Sequence, residues 1–318
     1  MANSDLPNLP GYMTDATAEL QWAERCERHG GERHELGSSH QGRPIYGYRF
    51  HRSVSNDAHD GRSVPVVFLL SLVHPMEWIG RELHLALLDQ LLSESGPIEI
   101  LSLPNANPDG TARVEAALRS GRPAWVRGNA DGIDLNRNFP VSFRRRSKLI
   151  DWWPMWRPGP APASEPETKA VLEFVRGRKI QLSLTLHSFG RWIFYPPGGQ
   201  NRPDTITDAH GRLVADALRT GNPLQYQSAL LAAWSWWFRA YGIEIDTLRE
   251  QNGGWTYLVE LGRSSFARWG FRELAQPFFV FNPRIPQREI DGVLPLLTRL
   301  ARAALTTPRP GSAPDSKA

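Results

Sequence analysis

Apolar and polar positions change period along the chain, and the changes mark its elements. Val66 to Val73 is an apolar run of strand length, the pattern of a strand buried on both faces, and it predicts that the core begins at Pro65. Trp78 to Leu92 carries apolar residues at 79, 83, 85, 87, 88, 91 and 92, a helical spacing. Ile98–Leu103, Gln181–Leu186 and Trp255–Leu261 again have strand length. SEPETKAVLEFV opens a further helix with a capping-box pattern from Ser164 to Glu167. Upstream, Thr14 or Asp15 caps a helix carrying Ala18, Leu20, Trp22 and Ala23, and ELGSSHQGRPIYGYRFHR reads as two β segments about the Gly42–Arg43–Pro44 turn. Asn105 to Pro162 shows neither period and reads as one long irregular stretch, a length that is commonly functional.

Strands alternating with helices predict an α/β fold, a three-layer α/β/α sandwich around a mixed, mostly parallel sheet. At 318 residues one large domain is expected. The expected division is a peripheral segment over 1–34, a catalytic domain over 35–305, and a tail over 306–318 that is rich in Pro, Ser and Ala.

Composition changes this picture only modestly. Hydrophobic residues make up 41% and charged residues 22%, enough for a large core in a soluble chain. No apolar run approaches the roughly 20 residues that span a bilayer, and the amino terminus lacks the basic start and apolar stretch of a secretory signal. A cytoplasmic protein without membrane association is expected. The single cysteine, Cys26, excludes an internal disulfide and a cysteine-rich zinc site. The net charge of +4 includes the dense run Arg144–Lys148, but no nucleic-acid motif accompanies it, so no nucleic-acid partner is expected.

Candidate chemistry sits at strand ends. A catalytic zinc takes three ligands from His, Asp or Glu and keeps one position open. His74 and Glu77, spaced i and i+3, directly follow the Val66–Val73 run, where a turn aims both at one point. His187 follows the strand Gln181–Leu186, and strand ends of open α/β sheets are where ligands bind. Activating water at such a site also requires a carboxylate to carry its proton to the leaving group. Glu260 interrupts the apolar strand WTYLVEL, where an unpaired carboxylate would be costly.

Together with HPMEWIG, NPDG, GIDLNRNFP, TLHSFGRWIFYP and YLVEL in series, these residues make the chain resemble the zinc carboxypeptidases typified by carboxypeptidase A, over about residues 35 to 300. The resemblance implies Zn2+ held by His74, Glu77 and His187, with Glu260 as general base. It implies that Asn136 and Arg137 clamp the free carboxylate of a peptide or peptide-like substrate, consistent with the bidentate fork of a guanidinium. Arg127 matches the arginine that stabilises the oxyanion, with Arg113, Arg119 and Arg122 as rivals. Ser188 is a further substrate-binding candidate.

One position departs from the family pattern. The mobile tyrosine of the digestive branch falls on Phe238, leaving Tyr241 three residues on as its possible replacement. The specificity position is marked by Asp246 after Ile245, which suggests an uncharged pocket. GNADGIDLNRNFP with the following SEPET also resembles the murein-peptide amidases, which cleave γ-glutamyl–diaminopimelate bonds. A deacylase of N-acyl amino acids remains open, as does a non-catalytic binding module using Trp152, Trp153 and Trp156 or Trp234, Trp236 and Trp237.

Overall fold

The structure is a computed structural model and describes residue 9 and residues 11–52, 64–145, 156–199, 204–234, 239–263 and 276–310. Among these, the strands are β1 (Glu32–Ser38), β2 (Pro44–Arg52), β3 (Val66–Ser71), β4 (Ile98–Leu103), β5 (Ile180–Ser188), β6 (Trp192–Tyr195), β7 (Gln227–Leu230) and β8 (Trp255–Leu261). They form one sheet in the order β1-β2-β4-β3-β5-β8-β6-β7. The centre, β4-β3-β5-β8, is parallel, as is β6 with β7, whereas β1-β2, β2-β4 and β6-β8 are antiparallel.

Every residue of β3 is buried, as the unbroken apolar run predicts, because helices cover both faces. Val67 and Leu69 point into the larger core with Trp22, Leu83, Val214 and Leu296, which lie on helices Asp15–His29, Trp78–Ser93, Thr205–Arg219 and Pro286–Thr306. Val66, Phe68 and Leu70 point the other way, toward Val171 of helix Pro166–Val175 and Leu248 of helix Glu244–Asn252. The three-layer sandwich is thus present. Trp22, in the stretch expected to be peripheral, is fully buried in the main core and donates its indole N–H to Ser102 Oγ at 2.9 Å.

Three local expectations change. The stretch from Asn105 to Pro162 is not wholly irregular, since it contains helix Pro108–Arg119. There Asn107 accepts from the Gly110 N–H and Pro108 opens the first turn, so cap chemistry starts this helix where apolar period gave no signal. The expected capping box at Ser164 does not form, because Ser164 Oγ donates to Glu165 Oε1 at 2.6 Å and the helix begins at Pro166. Finally, β5 continues through His187 to Ser188, so His187 is a strand residue with a fixed facing direction. No helix of the described residues is long and apolar enough to cross a membrane.

Candidate active site

Strand parity assembles the site. Register pairs His187 of β5 with Glu260 of β8 and Glu260 with Trp192 of β6; two residues along, Thr185 pairs with Leu258 and Leu258 with Phe194. Alternate residues share a face, so these six side chains line one side of the sheet, while Leu186, Val259 and Ile193 enter the core on the other. His74 and Glu77 arrive from the turn after the neighbouring strand β3. Glu77 immediately precedes helix Trp78–Ser93, and this helix lies so close to β5 that a Cβ on Gly80 would meet Leu186 O at 2.7 Å. Glycine there is what lets Glu77 approach His187.

His74, Glu77 and His187 each offer a ligand atom, all within 4.8 Å of one another, and all three residues are buried. His74 Nδ1 lies 2.9 Å from Glu77 Oε1, His187 Nδ1 lies 3.0 Å from Glu77 Oε2, and the two Nδ1 atoms are 3.2 Å apart. Each imidazole turns its other nitrogen to a carboxylate: His74 Nε2 to Asp134 Oδ1 at 3.1 Å, and His187 Nε2 to Glu244 Oε1 at 3.0 Å. With each Nε2–H donating to its carboxylate, the Nδ1 lone pairs face the common point, the arrangement that supports a metal-ligating histidine. The donor set therefore fits a zinc ion. Sequence reasoning assigned no role to Asp134 or Glu244; the first lies inside the quoted GIDLNRNFP string, and the second was visible as a charge between two isoleucines.

Electrostatics follow from this crowding. Burial raises the Glu77 carboxyl, but His74 and His187 outweigh it and hold it at about 2. Burial lowers His187, and Glu244 with Glu77 reverse this and raise it well above the usual imidazole range. Asp134 is held far below the carboxylate range despite burial, by Arg127 first and then His74. Glu260 behaves oppositely: burial and the Glu77 charge push it up to about 8 against the pull of His187 and Arg127. Its Oε2 is buried with no hydrogen-bond partner among the described residues, leaving an acceptor available at the cleft.

Arg127, Asn136, Arg137, Ser188 and Glu260 all line one cavity of about 380 Å³ together with His74 and Glu77. Arg127 Nε donates to Asp134 Oδ2 at 2.8 Å, and its Nη1 lies 3.9 Å from Glu77 Oε1. The rival arginines are engaged elsewhere: Arg119 with Glu115, Arg122 with Ser120 and Arg113 with the Asn129 carbonyl. Asp134 also accepts from the Asn136 N–H at 3.0 Å, starting the short helix Leu135–Arg137. The Arg137 guanidinium sits 5.5 Å from the Trp156 ring centre. Gly242 (φ +64°) packs against this segment, where a Cβ would meet Arg137 O at 2.3 Å. The Ser188 N–H donates to Glu77 Oε2 at 3.2 Å.

The far end of the cavity is aromatic. Trp192 and Phe194 stack at 5.6 Å, and Trp234 meets Phe194 edge-on at 5.7 Å, beside Ile243 and Leu258. Tyr241 and Asp246 are not among the lining residues. The Tyr241 ring faces Arg144 at 5.3 Å, and the Asp246 carboxylate accepts from the Gly198 and Gly199 N–H groups at 2.8 and 2.9 Å. Asp246 thus ties down the 196–199 loop. Phe238, Trp152, Trp153, Trp236, Trp237 and the end of the Arg144–Lys148 run lie outside the described residues.

Comparison with known proteins decides the family. The zinc carboxypeptidase family model matches residues 21–272. The chain belongs to the zinc carboxypeptidase family. Zinc carboxypeptidase A 1 of Drosophila melanogaster is 31% identical over 186 residues, 55% of this chain and 43% of that one. Carboxypeptidase A2 of Rattus norvegicus is 25% identical over 253 residues, 74% of this chain and 58% of that one. The chain thus spans about half the length of these curated relatives. A solved carboxypeptidase A from Helicoverpa armigera shares the fold, with a TM-score of 0.71 at 23% identity over 93% of this chain and 74% of that one. Zinc is the cofactor of this family; among the described residues two groups could hold an ion, the fully buried His74–Glu77–His187 and the partly exposed His40–Glu165–Glu167, and members of the first line the cavity that holds Glu260.

Proposed function

We propose that this member of the zinc carboxypeptidase family is a metallocarboxypeptidase that removes a large apolar residue from the carboxyl end of a peptide. The observation that carries the reading is the common cavity, lined by His74 and Glu77 of the candidate metal group, a carboxylate with an unengaged oxygen, two arginines and an aromatic wall. Bound zinc supplies Lewis acidity toward the scissile carbonyl and toward water. Glu260 would take the proton of the attacking water on its unengaged oxygen and return it to the departing amine as the C–N bond breaks, and a zinc ion held by His74, Glu77 and His187 would add the positive charge that favours its ionised, basic form. Arg127, held by Asp134, offers its remaining N–H groups to the negative charge that develops on the carbonyl oxygen. Arg137 and Asn136 orient the terminal carboxylate, and Trp192, Phe194 and Trp234 take the terminal side chain while excluding water.

The amidase reading asks for a pocket that recognises a second charged group. The aromatic end supplies none among the described lining residues, which favours the carboxypeptidase reading. The test pairs zinc-loaded protein with blocked dipeptides ending in phenylalanine or lysine and with a peptide carrying a γ-glutamyl–diaminopimelate bond. Phenylalanine release is expected to dominate, and Glu260→Gln is expected to retain zinc while losing about 10²–10⁴-fold in kcat. Full turnover by Glu260→Gln would refute the assignment of the base, and exclusive release of diaminopimelate would establish the amidase instead.

A further inference from the structure

Glu244 is fully buried at the start of helix Glu244–Asn252. Its Oε1 accepts from His187 Nε2 at 3.0 Å and from Thr185 Oγ1 at 3.0 Å, while Oε2 is buried with no hydrogen-bond partner among the described residues. A carboxylate taken wholly out of water and given so few donors is expensive to keep, and a compensating positive charge must lie close by. The helix N-terminus supplies part of it. The remainder lies along the His187 imidazole, whose opposite nitrogen faces the candidate metal position.

The same residue reaches the substrate side of the cleft through its backbone. The Glu244 N–H donates to Asn136 Oδ1 at 3.1 Å, and the Asn136 N–H donates to Asp134 Oδ1, which in turn receives His74 Nε2. The two ligand histidines are therefore joined behind the metal position by one chain: His74, Asp134, Asn136, Glu244, His187. The halves differ in load. Asp134 divides its charge between His74 and Arg127, whereas among the described residues His187 is the one charged-group partner of Glu244.

We propose that Glu244 is a positioning residue for zinc: its charge fixes the tautomer and orientation of His187 and strengthens that imidazole as a ligand, so its main effect is on metal retention. This rests on the metallocarboxypeptidase reading above. Glutamine at 244 preserves the volume and an acceptor oxygen, so a residue that only packs would be replaced without consequence. If the charge acts through His187, Glu244→Gln weakens zinc binding about 10–100-fold, the usual scale for loss of such a partner.

The experiment measures the zinc dissociation constant by competition with a chromophoric chelator, for wild type, Glu244→Gln and Glu244→Asp. Melting of the metal-free proteins is followed in parallel. The expected result is a 10–100-fold weaker zinc complex for Glu244→Gln, metal-free melting unchanged or raised, and KM for a phenylalanine-terminated peptide unchanged at saturating zinc. Glu244→Asp keeps the charge and is expected to fall between the two; should the glutamine variant fail to fold, Glu244→Ala is the second uncharged probe, and zinc affinity equal to wild type in it would overturn the proposal. Zinc binding by Glu244→Gln within twofold of wild type overturns it too, leaving the metallocarboxypeptidase reading intact. Wild-type protein that binds no zinc overturns both.

Discussion

The two ends of the cleft are built by different physics. At the polar end each side chain is held by a named partner: His74 by Asp134, His187 by Glu244 and Arg127 by Asp134. At the aromatic end Trp192, Phe194 and Trp234 meet through ring contacts at 5.6 to 6.5 Å, Trp192 and Phe194 pack in the apolar cluster of Leu231, Ile243 and Leu258, and Trp234 is 50% exposed. Hydrogen bonds between buried charged groups are directional and costly to leave half-made, whereas ring contacts are individually small and forgiving of shape. The difference teaches where function tolerates change. The polar end is expected to respond as one unit, and the aromatic end to be retunable residue by residue.

Three substitutions test that contrast, in descending order of effect. His187→Ala removes a candidate ligand and strands Glu244, so near-complete loss of both bound zinc and turnover is expected; elemental analysis showing a full equivalent of zinc would rule His187 out as a ligand. Next comes Arg127→Ala, expected to lower kcat by about 10²–10³, the scale for one oxyanion donor, with little change in KM. Because Asp134 also loses its strongest counter-charge, zinc affinity is expected to shift in the same variant, and steady-state kinetics combined with a zinc titration would reveal whether the polar end really acts together. The smallest effect belongs to Trp234→Ala. One ring contact is worth about 0.5–1.5 kcal/mol, so KM for a phenylalanine-terminated peptide should rise from about twofold to about tenfold with kcat preserved. A collapse of kcat in that variant would erase the distinction between the two ends.

Much of the polar end was legible without coordinates because its chemistry is local to strand ends. His74 and Glu77 lie three residues apart after an apolar run, and Glu260 is a charge set in an otherwise apolar strand; both patterns stand out against their surroundings. Asp134 and Glu244 did not, since their importance lies in which imidazole they meet across 60 and 57 residues of chain. Tyr241 and Asp246 failed to reach the cleft lining for the same reason: counting positions from Glu260 fixes distance along the chain but not the direction in which a loop turns its side chains.

What the sequence by itself determined was the order and type of the central elements and three separate metal-ligand candidates, because burial on both faces of a strand writes an unbroken apolar run. Only the tertiary structure decided that β5, β8 and β6 lie side by side, so that His187, Glu260 and Trp192 share a face. It likewise decided that the histidines present Nδ1 rather than Nε2 inward. Pairing register and the choice of ring nitrogen are set by contacts between segments remote in sequence, and no one-dimensional pattern encodes which remote carboxylate an imidazole will meet.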